Sequence, residues 1–544
     1  MRKLVSLAVT LVAGFGLQAQ PSMQFVFRGT YGPQNVFIGY DSWIQINFGW
    51  YNALPFTVLP DGVTISAPGH TFTENTYLVP SSTGTLPAAL SSRRDYFVCG
   101  LSGGMFKLVA SGNSCQPSSW IRFTDPGSGT HFLGLRAQNP VNVTLQLSGV
   151  PDGVTVEPWC LTQKCVILTN SLPTSTWGAQ PFDLRISVAP TAQPVSAVIR
   201  ATLATATGPL RTVDIPINLR YVQATPTKLK LPFNPPIPNK AKWESTMTTL
   251  AAKWCNVSNP VEVMSFGFEG QVWYYDGAFV YYQTADYTGN SAWLGCANNI
   301  VRQYRDFVLA QGGRVPAWRL FVAGLERAAR MAGPADTSYI TAITQLALNS
   351  PYAAAGGLIR DDGIRETAYL LEAQLAMSRL TGQRAPMEQR TADRLIGMFD
   401  SLFVSNNYVY QQLFMDGLAL RALIDYYSMR QDARVPGLVK VALDWIYANA
   451  WVPGQGLLTN PEPLGPRCDW GCQSPVMDLV NLVAPAYAWY WALTGNPAYL
   501  SWGDELFSQS LNSDISYSGK IFSQNYRWSF DYVRWRTSGT LTRQ

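Results

Sequence analysis

The sequence predicts a multidomain chain, all-β followed by all-α, in which two immunoglobulin-like β-sandwich modules precede an (α/α)6 toroid of helical hairpins. Three observations support this prediction: short β-rich runs up to about residue 220, a proline-rich segment at residues 222–240, and helical hairpins that recur from there to residue 540. The 544 residues are too many for one hydrophobic core, so two or three domains are expected.

The β modules are expected at residues 23–112 and 113–221. The stretch TVLPDGVTIS at residues 57–66 returns as SGVPDGVTVE at residues 148–157, and each copy is typical of a strand, a Pro-Asp-Gly turn and a second strand. The segment 222–240 contains five prolines, which disfavour both helix and central strand. We therefore interpret it as a semi-rigid linker.

The helical region is expected over residues 241–540. Its helix-joining turns begin at Asp286, Arg330, Arg379, Tyr427 and Ala492, and each lies between two amphipathic segments. A sixth hairpin can be assembled from the first helix, about 242–255, and the last, about 524–536, which would close the ring. An open α-solenoid is the alternative, although solenoids seldom carry so many aromatic residues in their inner helices.

The N-terminus is typical of a secretory signal peptide, residues 1–19. Arg2 and Lys3 precede an apolar run, and cleavage is expected near Ala19. The run is too short to span a bilayer and no second long apolar segment follows, so no membrane span is expected. The mature protein is therefore predicted to be secreted or periplasmic.

Eight cysteines fall into pairs that are close in sequence: Cys99 with Cys115, Cys160 with Cys165, Cys255 with Cys296, and Cys468 with Cys472. In an oxidising compartment this pattern predicts four disulfides. A zinc site would need clustered cysteines together with histidines, so neither a metal nor another cofactor is expected.

Composition narrows the class of partner. Charged residues make up 14% of the chain and aromatic residues 12%, where about 25% charged is usual for a soluble protein. The net charge of +5 is spread without a basic tract, so nucleic acid is not an expected partner. The oligomeric state is not predicted.

Both histidines, His70 and His131, lie in the predicted β region. The helical region therefore has no histidine for a Ser-His-Asp or Cys-His site, for a metal site, or for a histidine base. Acid and base chemistry there must come from Asp, Glu, Tyr, Lys and Arg.

Four acids stand near the heads of predicted inner helices: Asp276, Glu366, Asp416 and Asp478. In a toroid the inner helices begin at one rim, so these acids are expected to face one funnel. The alternative for each acid is a helix cap or first-turn residue that the helix dipole favours. The neighbouring rings of Trp273, Tyr275 and Tyr282 offer flat faces on which sugar rings can stack. The alternative is that these rings fill the hydrophobic core.

The arrangement resembles the (α/α)6 carbohydrate-active enzymes. It is similar to glycoside hydrolase family nine, in which an immunoglobulin-like module precedes the toroid, although YYDGAFVYY has one aspartate where that family has Asp-Ala-Gly-Asp. Asp361 and Asp362 in LIRDDGIRETAY resemble the paired aspartates of toroidal α-mannanases, with different flanking residues. The resemblance covers the architecture of residues 23–536 and implies a carbohydrate substrate, but it transfers no catalytic pair.

The first functional hypothesis is an exported glycoside hydrolase, which needs one protonated carboxyl and one carboxylate. The expected catalytic residues are Asp276 with Glu366 or Asp416, and we lean to inversion, which separates the carboxyl groups by roughly 6.5–9.5 Å. Glu269 and Asp362 are the next candidates for the catalytic pair. The residues expected to contact substrate are Trp273, Tyr275, Tyr282, Glu269, Asp362, Asp478, Trp470 and Arg365.

Two other hypotheses remain open. A polysaccharide lyase on the same fold would use Tyr275 or Tyr526 as the base and Arg365 or Arg527 to neutralise a uronate. The third is a non-catalytic glycan-binding or envelope protein, in which the acids are helix caps and the aromatic residues are core.

The cysteine pairing predicts that the denatured, unreduced mature protein contains no free thiol. The Cys255–Cys296 bond would close a loop of about forty residues and stabilise the fold by roughly 3–4 kcal/mol on the chain-entropy model. Alkylation followed by mass spectrometry checks this, and labelling of Cys255 or Cys296 without reductant would contradict the pairing.

Overall fold

A computed structural model describes residues 22–27, 34–70, 72–82, 85–90, 96–110, 113–136, 142–160, 163–164, 167–169, 180–205, 208–222, 235–255, 272–315, 319–354, 363–405, 412–459 and 474–538. The predicted signal peptide and most of the predicted linker lie outside these residues. So do the candidate residues Glu269, Asp361, Asp362 and Trp470, and at least one cysteine of the predicted pairs 160/165 and 468/472.

The described part of residues 240–538 is mainly helical, and the two helices of each of five hairpins are joined by the short turns expected from the sequence. The helices are α1 (Lys240–Cys255), α2 (Gly277–Thr288), α3 (Ala292–Ala310), α4 (Ala323–Ala332), α5 (Ser338–Asn349), α6 (Pro351–Ala354), α7 (Ile364–Thr381), α8 (Glu388–Phe403), α9 (Leu413–Arg430), α10 (Arg434–Asn449), α11 (Ala484–Thr494), α12 (Pro497–Ser510) and α13 (Gly519–Ser538). All five predicted helix-joining turns are confirmed.

Several of these turns end an inner helix in the same way. Gly382 and Gly495 follow α7 and α11 with φ of 70° and 72°, a left-handed conformation that glycine adopts without steric cost. Their N–H groups donate to the carbonyls of Ser378 and Trp491 at 3.0 and 2.7 Å. The repeated Leu-Thr-Gly in the sequence is therefore a C-terminal capping signal.

The inner helices close into a ring. In order around it they are α2, α4, α7, α9, α11 and α13, and each contacts the next, with α13 returning to α2. Helix α1 packs outside α13 and α2, so the two ends of the helical region complete the sixth hairpin. The toroid is confirmed, and the open solenoid is excluded.

One predicted disulfide fastens this closure. Cys255 at the end of α1 is bonded to Cys296 in α3, 41 residues further on. The second confirmed disulfide, Cys99–Cys115, lies in the β region. Glu74 approaches these two sulfurs in a metal-like grouping, but both sulfurs are held in the disulfide and are not free to bind an ion.

The β region contains two packed cores. Its strands are β1 (Ser22–Phe27), β2 (Gln34–Phe37), β3 (Asp41–Val58), β4 (Ile65–Ser66), β5 (Tyr77–Ser82), β6 (Tyr96–Ser102), β7 (Met105–Ala110), β8 (His131–Arg136), β9 (Asn142–Ser148), β10 (Val154–Cys160), β11 (Gln163–Lys164), β12 (Ile167–Thr169), β13 (Gln180–Val188), β14 (Val195–Thr205) and β15 (Gly208–Arg220). Strands β16 (Trp451–Val452), β17 (Gly456–Leu458) and β18 (Pro475–Val476) form a small sheet within the toroid.

The two β cores do not follow one another along the chain. One lies between the sheet β12-β9-β14-β15-β2 and strands β10, β13 and the start of β3, and it includes Ile44, Leu184 and Ile217. The other is built from the end of β3 and strands β4–β8, and it includes Phe56 and Val98. Because β3 runs through both cores, the packing divides the region differently from the predicted boundary between residues 112 and 113.

The two Pro-Asp-Gly segments do form turns, but in different contexts. Residues 57–66 make a hairpin in which Thr57 pairs with Ser66. Residues 148–157 instead connect β9 in one sheet with β10 in the other. The repeated phrase therefore marks a local turn and not a repeated module.

The β region is fixed to the outer helix α8 by buried charges. Asp183 of β13 accepts from Arg390 Nε at 2.8 Å, and the two residues are 2% and 6% exposed. Trp43 of β3 donates to Asp393 Oδ2 at 3.2 Å, and Arg220 of β15 pairs with Asp400. The toroid and the β region thus share an interface in which Asp183 and Asp400 each pair with an arginine from the other side.

Among the described residues, no helix has both the length and the apolar character needed to cross a bilayer.

The interface predicts a large effect of removing one buried partner. Arg390→Met should lower the free energy of unfolding by about 3 kcal/mol, because Asp183 would be left as a buried charge without its cation. Arg200→Met is the matched control, since Arg200 pairs with Asp214 on the surface of the β14–β15 hairpin and its loss should be almost silent. Denaturant unfolding checks both variants, and equal stabilities would contradict the role assigned to the interface.

Candidate active site

The candidate site lies where the inner helices begin. The inner helices α2, α4, α7, α9 and α11 are each followed by an outer helix, and α13 pairs with α1, so the inner helices run in the same direction and their N-terminal ends share one face of the ring. Five segments belong to this face. They are the residues before α2, the residues before α4, the first turn of α7, the segment before the 3-10 turn Val480–Leu482, and the start of α13.

Two tyrosines, Tyr274 and Tyr275, lie at this face, just before the start of α2. Their rings lie 4.9 Å apart, and Tyr274 is partly exposed while Tyr275 is buried. Tyr275 and the next residue, Asp276, both have left-handed backbone, with φ of 57° and 61°. For a bulky aromatic residue this conformation costs free energy, and such strain is concentrated at functional sites.

Asp276 is the N-cap of α2. Its carboxylate accepts from Phe279 N at 3.4 Å and from Gly324 N at 3.0 Å, so it joins the first turns of α2 and α4. It is 7% exposed, and Arg527 Nε lies 4.0 Å from Oδ2. Burial raises the pKa of Asp276, and Arg527 and the backbone donors partly offset this. Its contacts are those of a cap shared by two helices.

The glycine after this aspartate is required by packing. A Cβ on Gly277 would lie 1.7 Å from the carbonyl oxygen of Val272, and one on Gly417 would lie 2.6 Å from that of Leu482. The two Asp-Gly motifs therefore share a need for close backbone approach. Their aspartates differ, since Asp276 caps α2 whereas Asp416 is inside the first turn of α9.

Glu366 lies in the first turn of α7 and forms an ion pair with its neighbour. Arg365 Nε donates to Glu366 Oε1 at 2.9 Å, and the side chain of Glu366 is 9% exposed against 22% for Arg365. Arg365 and Glu366 both act electrostatically on Tyr274. This carboxylate therefore lies on the α7 side of the tyrosine pair.

Asp478 lies in the segment that leads into the 3-10 turn before α11. It is half-buried, it accepts from the Tyr517 hydroxyl at 3.2 Å, and its charge acts on Tyr275. Burial raises the pKa of Asp478, with Tyr517 and Lys520 opposing the shift. The two carboxyl groups thus both act on the tyrosine pair, one from α7 and one from the segment before α11, and they lie in different environments.

A lysine covers the faces of the two tyrosines. Lys520 Nζ lies 5.2 Å from the ring centroid of Tyr274 and 6.0 Å from that of Tyr275, within the range of cation–π attraction. Burial lowers the pKa of Lys520, while Asp478 raises it and Arg365 lowers it further.

Asp416 is enclosed in the ring. It is 0% exposed, neither carboxyl oxygen has a hydrogen-bond partner among the described residues, and burial raises its pKa well above the ordinary value. It therefore lies at the expected end of α9 but beneath the surface of the site.

Most of the predicted stacking residues belong to the core. Trp273 is 3% exposed and packs on Tyr304 and Phe321. Tyr282 is 1% exposed and donates to Asn298 of the outer helix α3 at 2.7 Å. Of the predicted tyrosines, Tyr275 alone lies beside the carboxyl groups, where its neighbour Tyr274 presents the accessible ring.

The alternative lyase pair is also placed in the core. Tyr526 donates to the backbone oxygen of Trp243 at 2.9 Å, and Arg527 lies over the ring of Phe279 at 4.4 Å. Both residues are about 2% exposed or less. They hold α13 against its neighbours.

Sequence reasoning missed Arg319, Tyr517 and Lys520. Arg319 precedes α4 and acts electrostatically on Tyr274. Tyr517 and Lys520 stand at the start of α13, which begins at Gly519 and not near residue 524 as predicted. Alignment of the Ser-Gly-Lys segment with the heads of the other inner helices could have found Lys520.

Comparisons with known proteins do not assign this chain to a family. No family model and no curated protein matches the chain. Two solved structures align weakly: an inactive variant of the α-1,6-mannanase GH76A of Salegentibacter sp. HEL1_6, with two aspartates replaced by asparagine, in complex with α-1,6-mannotriose, and a family 76 glycoside hydrolase from a bovine Bacteroides thetaiotaomicron strain.

The first is 13% identical with a TM-score of 0.28 and covers 49% of this chain and 70% of its own. The second is 8% identical with a TM-score of 0.27 and covers 78% of this chain and 76% of its own. At these scores neither likeness carries an argument about this chain.

The contacts of Asp276 predict how its variants behave. Asp276→Asn should keep turnover within about threefold on any substrate cleaved, because an amide oxygen still caps α2. Asp276→Ala should lower the free energy of unfolding by about 1–3 kcal/mol, since buried N–H groups of α2 and α4 lose their acceptor. Thermal unfolding and steady-state rates check this, and a loss of several orders of magnitude in kcat for the folded Asn variant would instead identify a catalytic carboxylate.

Proposed function

We propose that the chain is an exported glycoside hydrolase that acts on a poly- or oligosaccharide. The observation that carries the proposal is that Glu366, in the first turn of α7, and Asp478, ahead of α11, both act on the Tyr274–Tyr275 pair where the inner helices of a closed ring begin. The disulfides Cys99–Cys115 and Cys255–Cys296 fit an exported protein.

The two carboxyl groups fit different roles. A glycosidase needs a general acid that stays protonated until it donates to the leaving oxygen, and burial raises the pKa of Asp478 in that direction. Glu366 is ion-paired with Arg365 and so is the carboxylate that activates water or attacks the anomeric carbon. The partly exposed ring of Tyr274 supplies a face on which a sugar can stack.

Asp276 and Asp416 fit a catalytic role less well than Glu366 and Asp478. The carboxylate of Asp276 is occupied by backbone donors of two helices, and Asp416 is enclosed. We assign them to positioning the first turns of α2 and α9. Glu269 and Asp362 remain reserve candidates, and Asp362 precedes Glu366 by four positions in the sequence.

The cations of the site favour one second candidate, a polysaccharide lyase. Arg365 and Lys520 flank Tyr275, as a lyase would require in order to neutralise a uronate beside a tyrosine base. Burial opposes this role, because it raises the pKa of Tyr274 to about 12 and that of Tyr275 further. A hydrolase is therefore the better supported of the two.

The proposal predicts that the purified protein releases reducing ends from at least one member of a polysaccharide panel, without an unsaturated product. On that substrate Asp478→Asn and Glu366→Gln should each lower kcat by about 10²–10⁴-fold while the fold is kept. Wild-type activity should fall as the pH rises through the pKa of Asp478, because the acid then loses its proton.

Asp444→Asn on the outer helix α10 is the matched control and should be as active as wild type. Near-normal turnover in both site variants on a cleaved substrate would overturn the assignment of the pair. An unsaturated product would establish the lyase, and binding without any product would make the chain a glycan-binding protein.

A further inference from the structure

A further tyrosine, Tyr517, lies at the face where the inner helices begin, two residues before α13. Its hydroxyl donates to Asp478 Oδ2 at 3.2 Å, although the residue is 52% exposed. The other carboxyl oxygen, Asp478 Oδ1, is buried and has no hydrogen-bond partner among the described residues. A substrate can therefore reach this carboxyl group only through Oδ2, the oxygen that Tyr517 holds.

This hydrogen bond limits how far the cleaved bond can lie from Tyr517. A glycosidic oxygen that takes a proton from Asp478 Oδ2 must come within hydrogen-bond distance of it, about 2.5–3.0 Å. Since the Tyr517 hydroxyl is itself 3.2 Å from Oδ2, the hydroxyl and the glycosidic oxygen lie within about 6 Å of each other. The sugar that leaves with the glycosidic oxygen is therefore beside Tyr517.

Resting on the proposed hydrolase function, we propose that Tyr517 forms the subsite for the leaving-group sugar and holds Asp478 in place for it. The exposed ring gives this sugar a flat apolar face on which to stack. The hydroxyl is the partner of Oδ2 until the glycosidic oxygen arrives. The sugar that carries the anomeric carbon faces Glu366 and Tyr274, whereas the leaving-group sugar faces Tyr517.

The hydroxyl suits this role because it keeps its proton. Burial, together with Asp478 and Asp514, raises the pKa of Tyr517 to about 12, so the hydroxyl remains a donor near neutral pH. Its bond to the carboxylate opposes the rise that burial causes in the pKa of Asp478. Lys520 acts on Asp478 in the same direction as Tyr517, and Tyr275 faces Asp478 from the residues before α2. Removing the Tyr517 hydroxyl alone should therefore raise the pKa of Asp478, because the other groups stay as they are.

The test uses the polymer that wild type cleaves in a panel of dextran, α-mannan, xylan, starch and polygalacturonate, together with a glycosyl fluoride of the same sugar. Fluoride leaves without a sugar, so the second substrate does not fill the proposed subsite. Tyr517→Ala should lower kcat/KM on the polymer roughly tenfold or more, mainly through KM, with a much smaller loss on the fluoride. The matched control is Tyr221→Ala, which removes a 58% exposed tyrosine just after β15 and should leave both rates unchanged.

Tyr517→Phe separates the hydroxyl from the ring. It should keep KM on the polymer within about twofold, because the stacking face remains. The alkaline side of its kcat/KM profile should move to higher pH than in wild type, because Asp478 then holds its proton to higher pH. A tyrosine that only supported the fold would change the stability without moving this side of the profile.

Each other outcome contradicts a distinct claim. Cleavage of the polymer by Tyr517→Ala at the wild-type rate, or equal losses on polymer and fluoride, overturns the subsite and leaves the hydrolase standing. An unshifted alkaline side of the profile in Tyr517→Phe overturns the role of the hydroxyl. No cleavage of any polymer by wild type overturns the hydrolase, and the subsite with it.

Discussion

Closure of the ring by the last helix is the constraint on which the site depends. Helix α13 is held between α11 and α2, and it is fastened to α1 by the hydrogen bonds from Tyr526 to the Trp243 carbonyl and from the Trp243 indole to Ser529, both 2.9 Å long. Ser523 of α13 donates to Val272 O at 2.6 Å, directly before the tyrosine turn. Without α13 the ring of inner helices would be open, and the turn that carries Tyr275 would lose its support.

Ion pairs also join the inner helices to one another across the ring. Arg421 of α9 reaches Asp531 of α13 at 2.5 Å, past α11, and Arg379 of α7 donates to Glu326 of α4 at 2.7 Å. Arg421 and Asp531 are almost fully buried, so removing either partner would leave a buried charge without its counter-ion and destabilise the ring.

Periodic features of the sequence were sufficient to predict the ring of helical hairpins, but not the arrangement of the β region. The Leu-Thr-Gly turns, the hairpin spacing and the cysteine pairs 99/115 and 255/296 are local signals, and the structure agrees with them. The β cores were harder to predict, because β3 alone passes through both and its 18 residues give no local sign of the crossing. The role of Asp276 also depends on a long-range partner, the N–H of Gly324, which lies 48 residues away. Lys520 was missed because α13 begins at Gly519, ahead of its clear amphipathic pattern.

The central claim is that the face where the inner helices begin holds a carbohydrate between Glu366 and Asp478. A crystal structure of Asp478→Asn with an oligosaccharide from the polymer that the wild type cleaves tests this most directly. We predict a sugar ring stacked on Tyr274, its glycosidic oxygen within hydrogen-bond distance of residue 478 and its anomeric carbon facing Glu366, directly or through one water. An oligosaccharide bound instead to the β region or to the outer helices, with this face unoccupied, would contradict the account.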